Sequence, residues 1–216
     1  MAKVQGVKEK LHWPMYDAFF VKDEDKSTGT GKKTFTDFMT DPRVIRFFVD
    51  IQNKTKLETN LQASGVLPSL NTFEVRALRV VVSNLHRFDP KGGKNEQLKE
   101  RNEPEVLADL IYNSVTSLIV GDKLLFEAPT YFFPSGAGVS SGFPTVCNNG
   151  LPDPTATFRL AEPVIIDPQQ NFRVEMAFPQ GVPGQQTPLD PYKLAGVTGP
   201  LRIWVVLDGY LTRDVQ

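Results

Sequence analysis

Reactive side chains are scarce in this sequence. It contains a single cysteine, Cys147, among 216 residues. No disulfide can form within the chain, and the lone thiol fits a reducing compartment or assembly inside a cell. With no local signature around it, Cys147 reads as an inert loop residue rather than a nucleophile. The 2 histidines, His12 and His86, lie on segments far apart. No H-x-H, H-E-x-x-H or Cys/His cluster is present, so the usual zinc sites and cupin-type iron or manganese sites have no support. A surplus of one charge is also missing. The formal net charge is -1 and the pI about 6.2, unlike the basic balance of proteins that coat nucleic acid. No stretch approaches the roughly 18 apolar residues of a membrane span. The longest candidate, residues 115–126, is interrupted by Gly121, Asp122 and Lys123. Residues 1–10 are polar and carry no apolar core of a leader, which predicts no secretory signal. Asn53-Lys54-Thr55 therefore reads as a chance match to the glycosylation sequon.

Hydrophobic residues make up 40% of the chain and charged residues 23%, enough to bury a core and unlike a disordered composition. The length suits one large β domain. The 17 prolines and 16 glycines concentrate in stretches such as PTYFFPSGAGVSSGFP and PQGVPGQQTPLDP, which read as long loops.

Between the loops lie strand signals. Residues 44–51 (VIRFFVDI) are rich in β-branched and aromatic side chains. In residues 73–80 (FEVRALRV) Phe73, Val75 and Ala77 fall on one face, but Leu78, Val80 and Val82 fall on the other. The alternation therefore blurs, as in a strand that bulges or becomes covered on both faces. VTSLIV and KLLFEA flank Gly121-Asp122 and predict a hairpin with a two-residue turn, stopped by Pro129. Further strands are expected at residues 164–166, at 172–178 (FRVEMAF, alternating cleanly) and at 201–211. A single short helix is predicted over 104–112. Asn102 can cap it, Pro104 suits its first turn, and Val106, Leu107, Leu110 and Ile111 share one face. Residues 56–70 are polar and close on a Leu67-Pro68-Ser69 turn; residues 87–103 read as an exposed excursion. No internal repeat occurs. The fold class expected is all-β: an antiparallel β-sandwich of jelly-roll type, with one short helix and long Pro/Gly loops. Residues 43–216 form the sandwich in this reading, and residues 1–42 an N-terminal arm that is flexible over the charged run 22–33. The arm either docks on a neighbouring subunit or packs on its own domain.

No catalytic, cofactor-binding or metal-binding residue emerges. The run Thr28-Gly29-Thr30-Gly31-Lys32-Lys33-Thr34 lacks the spacing of a phosphate loop. Asp23, Glu24 and Asp25 lack the glycine and terminal glutamate of a calcium loop. Ser135-Gly136-Ala137-Gly138 reads as a glycine-rich turn. What stands out is aromatic. Tyr131, Phe132 and Phe133 sit together in a Pro/Gly loop, where a run of three turns at least one ring outward. Trp13, Phe19 and Phe20 lie on the N-terminal segment. These six are candidate interface residues, and the loop rings could alternatively form a sugar-binding platform.

The order of features over residues 43–216 resembles the jelly-roll structural proteins in virions of bacterial viruses, especially tailless ones. The features are the middle strand FEVRALRVVV, the hairpin IVGDKLLFEAP, the aromatic stretch, the loop PSGAGVSSG, the turn NNGLPDP, then FRLAEPVIIDPQQNFRVEMAF and a closing strand ending LDGYLTRDVQ. The resemblance implies a capsid subunit without enzymatic activity or cofactor. Its partners would be further copies of itself and other virion proteins, with no small-molecule substrate, and its location the virion, assembled in the host cytoplasm. Contact with an internal membrane or a genome is left open. A carbohydrate-binding β-sandwich is the alternative, and a jelly-roll enzyme a more distant one.

Overall fold

The structure, a computed structural model, describes residues 8–21, 41, 43–84, 108, 110–135, 156–179 and 201–214. Among the described residues, nine strands lie in two antiparallel sheets: β1 Lys8–His12, β2 Met15–Val21, β3 Val44–Phe47, β4 Thr72–Asn84, β5 Val115–Val120, β6 Lys123–Pro129, β7 Arg159–Ile166, β8 Phe172–Ala177 and β9 Leu201–Asp214. Sheet one runs β1-β9-β4-β7, with β2 also on β9, and sheet two runs β3-β8-β5-β6. Four antiparallel pairs are nested in sequence: β5–β6, β4–β7, β3–β8 and β2–β9. Successive pairs fall in alternate sheets. The chain is thus one long hairpin rolled up into a sandwich, which is the jelly roll. Phe47, Phe73, Leu118, Phe133, Ile166, Met176 and Phe178 fill the space between the sheets and are fully buried.

Local sequence explains most of these strands. In β8 Phe172, Val174 and Met176 point into the core while Arg173, Glu175 and Ala177 are half-exposed. This is the period of two that a sheet with one wet face requires. Gly121 takes a left-handed φ of 59°, a conformation glycine reaches without steric cost, so Gly121-Asp122 turns β5 into β6 as expected. The blurred alternation of β4 is a bulge. Val75 faces Gly209 and Ala77 faces Asp208, so Arg76 is the extra residue. Beyond it the inward phase passes to Leu78, Val80 and Val82. Gly209 is where the partner strand must come close, because a Cβ there would fall on the carbonyl of Glu74.

Residues 8–21 take the second of the two placements expected for the N-terminal segment and pack on their own domain: β1 and β2 both hydrogen-bond along β9, and Met15 and Val21 are buried in the core of the sandwich. β3 is shorter than expected, because Phe48 turns to a φ of 69° and ends the strand. β7 starts earlier than expected, at Arg159, and β9 runs on to Asp214. Ala108 and residues 110–112 are helical; the rest of the predicted helix lies outside the described residues, as do the runs 22–33 and 87–103, His86 and Cys147.

Topology sorts the connections. β2 ends and β9 begins where Val21 faces Leu201, and β4 ends there too, with Asn84 opposite Leu201. In sheet two, β3 and β5 begin opposite Ala177, where β8 ends, and β6 ends at Pro129 opposite Val115. The β2–β3, β4–β5, β6–β7 and β8–β9 connections therefore all leave from one end of the sandwich. The opposite end carries the two-residue β5–β6 turn, the 167–171 turn and the 48–71 crossover.

Candidate functional site

A chain of aromatic rings stands at the loop end. Tyr131 and Phe132 belong to a single 3₁₀ turn, Thr130–Phe132, that follows β6 directly. Their ring centroids are 5.0 Å apart, Tyr112 at the close of the helical turn lies 6.0 Å from Tyr131, and Phe158 meets Phe132 edge-on at 6.1 Å. Phe158 also meets Phe133 edge-on at 5.8 Å, and Phe133 lies 5.6 Å from Phe126 of β6. The row runs from solvent into the core. Tyr112, Tyr131, Phe132 and Phe158 are 66%, 49%, 43% and 41% exposed, whereas Phe133 is 1% exposed. Such tilted and edge-on pairs each contribute about 0.5–1.5 kcal/mol beyond burial.

Three buried hydroxyls hold that row in place. Ser114 Oγ, with one proton, donates to Thr130 Oγ1 at 2.7 Å or to the carbonyl of Leu110 at 2.6 Å, and Thr130 Oγ1 lies 2.8 Å from Thr116 Oγ1. The three hydroxyls form one relay beside the Leu110 carbonyl. The Thr130 N–H adds a bond to the Ser114 carbonyl at 2.9 Å. The relay ties the turn that carries Tyr131 to the helical turn that carries Tyr112. Across the core, the Val80 N–H donates to the Phe133 carbonyl at 2.9 Å and joins the turn to sheet one.

The six interface candidates separate. Tyr131 and Phe132 are on the ladder. Phe133 is a correction: its ring is the plug beneath the ladder and reaches no solvent. Phe19 is half-buried and packs against the core. Phe20 lies on the outer face of sheet one under the Arg202 guanidinium, 4.5 Å from its ring centre. Trp13 is exposed between β1 and β2, its backbone N–H donating to the Gly209 carbonyl at 3.0 Å. The N-terminal rings and the loop rings thus make no single surface. Tyr112 and Phe158 were missed by sequence reasoning. Each is an isolated aromatic in its own segment, and only the fold brings them to Tyr131 and Phe132.

Charged groups gather elsewhere. On the outside of sheet one, Tyr210 is flanked by Lys10 Nζ at 4.8 Å and by the Arg76 guanidinium at 5.3 Å. Both cations pair with Glu74, whose carboxyl is held below its usual range, first by the Lys10 hydrogen bond and then by Arg76. His12 Nε2 lies 2.7 Å from Asp208 Oδ1. These groups satisfy one another.

Asp17 is the one fully buried carboxylate on β2. It accepts the Phe48 N–H at 2.7 Å and meets Lys54 Nζ at 2.8 and 2.9 Å. Burial pushes its carboxyl above the ordinary value, against the opposing pull of Lys54 and of the hydrogen bonds from Lys54, Phe48 and Thr59. Its role is to anchor the start of the 48–71 crossover.

Among the described residues no group of three or more His, Cys, Asp or Glu side chains could hold a metal ion, and no helix is long and apolar enough to cross a membrane. The letters G-x-S-x-G occur at Gly138-Val139-Ser140-Ser141-Gly142, outside the described residues. In comparisons with known proteins, no family model, no curated protein and no solved structure matches this chain.

Proposed function

We propose that this chain is a capsid subunit that self-assembles into a virion shell. The proposal is supported above all by the aromatic ladder. Four adjoining rings stand exposed on a hydrogen-bonded platform, at the end of the sandwich from which four connections leave. Contiguous exposed rings mark contact surfaces, and Tyr and Phe are enriched at the buried centre of interfaces. A shell subunit needs a rigid body with variable connections grouped at one end, and the rolled-up hairpin supplies that arrangement. The partners in this reading are further copies of the chain and other virion proteins, in a virion assembled in the host cytoplasm. It assigns no catalytic residue, cofactor or small-molecule substrate.

The test is assembly of the full chain, followed by light scattering and negative-stain microscopy across salt and concentration. The wild type should form regular particles. A Tyr131→Ser/Phe132→Ser variant with an unchanged circular dichroism spectrum should remain as small species. A wild type that stays monomeric under every condition sinks the proposal.

Three of these four rings, Tyr112, Tyr131 and Phe132, suit stacking on a sugar face, which keeps a carbohydrate-binding module as the second reading. Glycan-array binding that disappears with Phe132→Ala, in a chain that forms no particles, would move the assignment there.

A further inference from the structure

Each edge strand of the two sheets has its own way of meeting solvent. β1 is a charged segment, KEKLH, with only Leu11 apolar. β2 is covered by the crossover, through Asn60 Oδ1 accepting the Tyr16 N–H at 3.0 Å and a bridge between Asp17 and Thr59. β3 has four residues and ends where Asp17 takes the Phe48 N–H. β7 carries Pro163, which has no N–H to offer, beside exposed Glu162, and its register on β4 slips between Val164 and Arg159. All are recognised devices against edge-to-edge pairing. β6 has devices of the same kind, Lys123 at its start and a bulge, but among the described residues it pairs with β5 alone and presents exposed Leu124 and Leu125 in mid-strand. Its own bulge makes Leu125 the extra residue: Leu118 faces Phe126 and Ile119 faces Leu124, so Leu125 faces no residue of β5.

We propose that β6 pairs antiparallel with β6 of a second copy of this chain, about a two-fold axis at Leu125. The sequence KLLFEAP selects that register. With Leu125 opposite itself, Lys123 faces Glu127 of the second copy, Leu124 faces Phe126, and the same contacts recur on the other side of the axis. This is the self-complementary pattern an isologous contact requires. Displacing the centre by half a residue towards Leu124 sets Glu127 against Asp122. Displacing it to Phe126 sets Leu125 against Glu127. Lysine on an edge ordinarily repels arbitrary strands; here a glutamate is placed to meet it, so the same charges exclude other partners and admit this one. Pro129 limits the pairing at its far end. Sheet two would thereby continue from one copy into the next. The inference rests on reading the chain as a self-associating subunit, but it uses a surface separate from the aromatic ladder.

The experiment is sedimentation velocity on the full chain over a dilution series, comparing wild type, Lys123→Glu, Glu127→Lys, the double reversal, and Tyr131→Ser/Phe132→Ser. The wild type should show a dimer. Each single reversal sets like charges face to face twice per dimer and should weaken it by roughly tenfold. The double reversal should restore it, and the ladder variant should leave it intact. Single reversals without effect, or a double reversal that fails to restore the dimer, overturn the β6 pairing. Particles that form unchanged in Leu125→Lys also overturn it while leaving self-assembly standing. A wild type that forms neither dimers nor particles overturns both.

Discussion

The two flanks of this sandwich are finished in opposite ways. On the β2/β3 flank the 48–71 crossover is sewn to both sheets. Trp204 Nε1–H donates to the Leu57 carbonyl at 3.0 Å and Asn60 Nδ2 to the Pro14 carbonyl at 2.8 Å on the sheet-one side. On the sheet-two side, Gly65 accepts the Phe172 N–H at 2.8 Å and donates to the Phe48 carbonyl at 2.6 Å. Asp17 and Lys54 close the seam between them. On the β6/β7 flank no described segment crosses the edges, and Leu124, Leu125, Phe158 and Ile165 are exposed. One flank spends its polar groups on holding the fold together. The other leaves apolar side chains that no described segment covers. The difference separates residues that stabilise the monomer from residues available for contact, and that division can be attacked from both sides.

Phe48→Ala strikes the sealed flank hardest. Its ring is fully buried, 5.4 Å from that of Phe172, and its loss should cost about 3–5 kcal/mol in urea unfolding. A smaller effect is expected at Asp17. Replacement by Ala orphans the buried Phe48 N–H and should cost about 1–3 kcal/mol; replacement by Asn keeps an acceptor and should cost less. The pH dependence has a definite sign. The folded carboxyl is raised above its unfolded value, so the native state holds the proton more tightly. The wild type should then gain stability relative to Asp17→Asn as pH falls through the raised folded value towards 3.8. An opposite trend in unfolding free energy would show that Lys54 outweighs burial. The smallest change belongs to the open flank. Leu124→Ser should alter unfolding free energy by no more than about 0.5 kcal/mol, and a loss comparable to that of Asp17→Ala would erase the distinction between the flanks.

How far this organisation could be read beforehand varies element by element. β8 was legible because FRVEMA alternates, and the β5–β6 hairpin because Gly121-Asp122 has the chemistry of its turn. The bulge in β4 showed as a broken phase at Arg76, without the information that Gly209 makes room for it. β2 was illegible for a physical reason. In MYDAFFV a carboxylate and an alanine are buried next to each other while two phenylalanines are only half-covered, so hydrophobicity alone gives no period. Asp17 is tolerated inside because Lys54 and Phe48, more than thirty positions away in sequence, come to it. The candidate site was half visible. Tyr131 and Phe132 announced themselves as a run, but the inward turn of Phe133 is decided by the 3₁₀ geometry, and Tyr112 and Phe158 join only through topology.

The nested pairing also orders the molecule in time. β5 and β6 meet across two residues, whereas β2 must wait for β9, and closing such distant contacts is the slow part of folding a β protein. β9 is the middle strand of sheet one, in contact with β1, β2 and β4. In a chain made from its N-terminus, β4 therefore stands with an open edge until Leu201–Asp214 has been synthesised. Sheet two can close on itself before that, through β3, β8, β5 and β6. Commitment to the native state is thereby tied to completion of one late strand, and the interval before it arrives is when an unfinished chain is most exposed to misassembly with its neighbours.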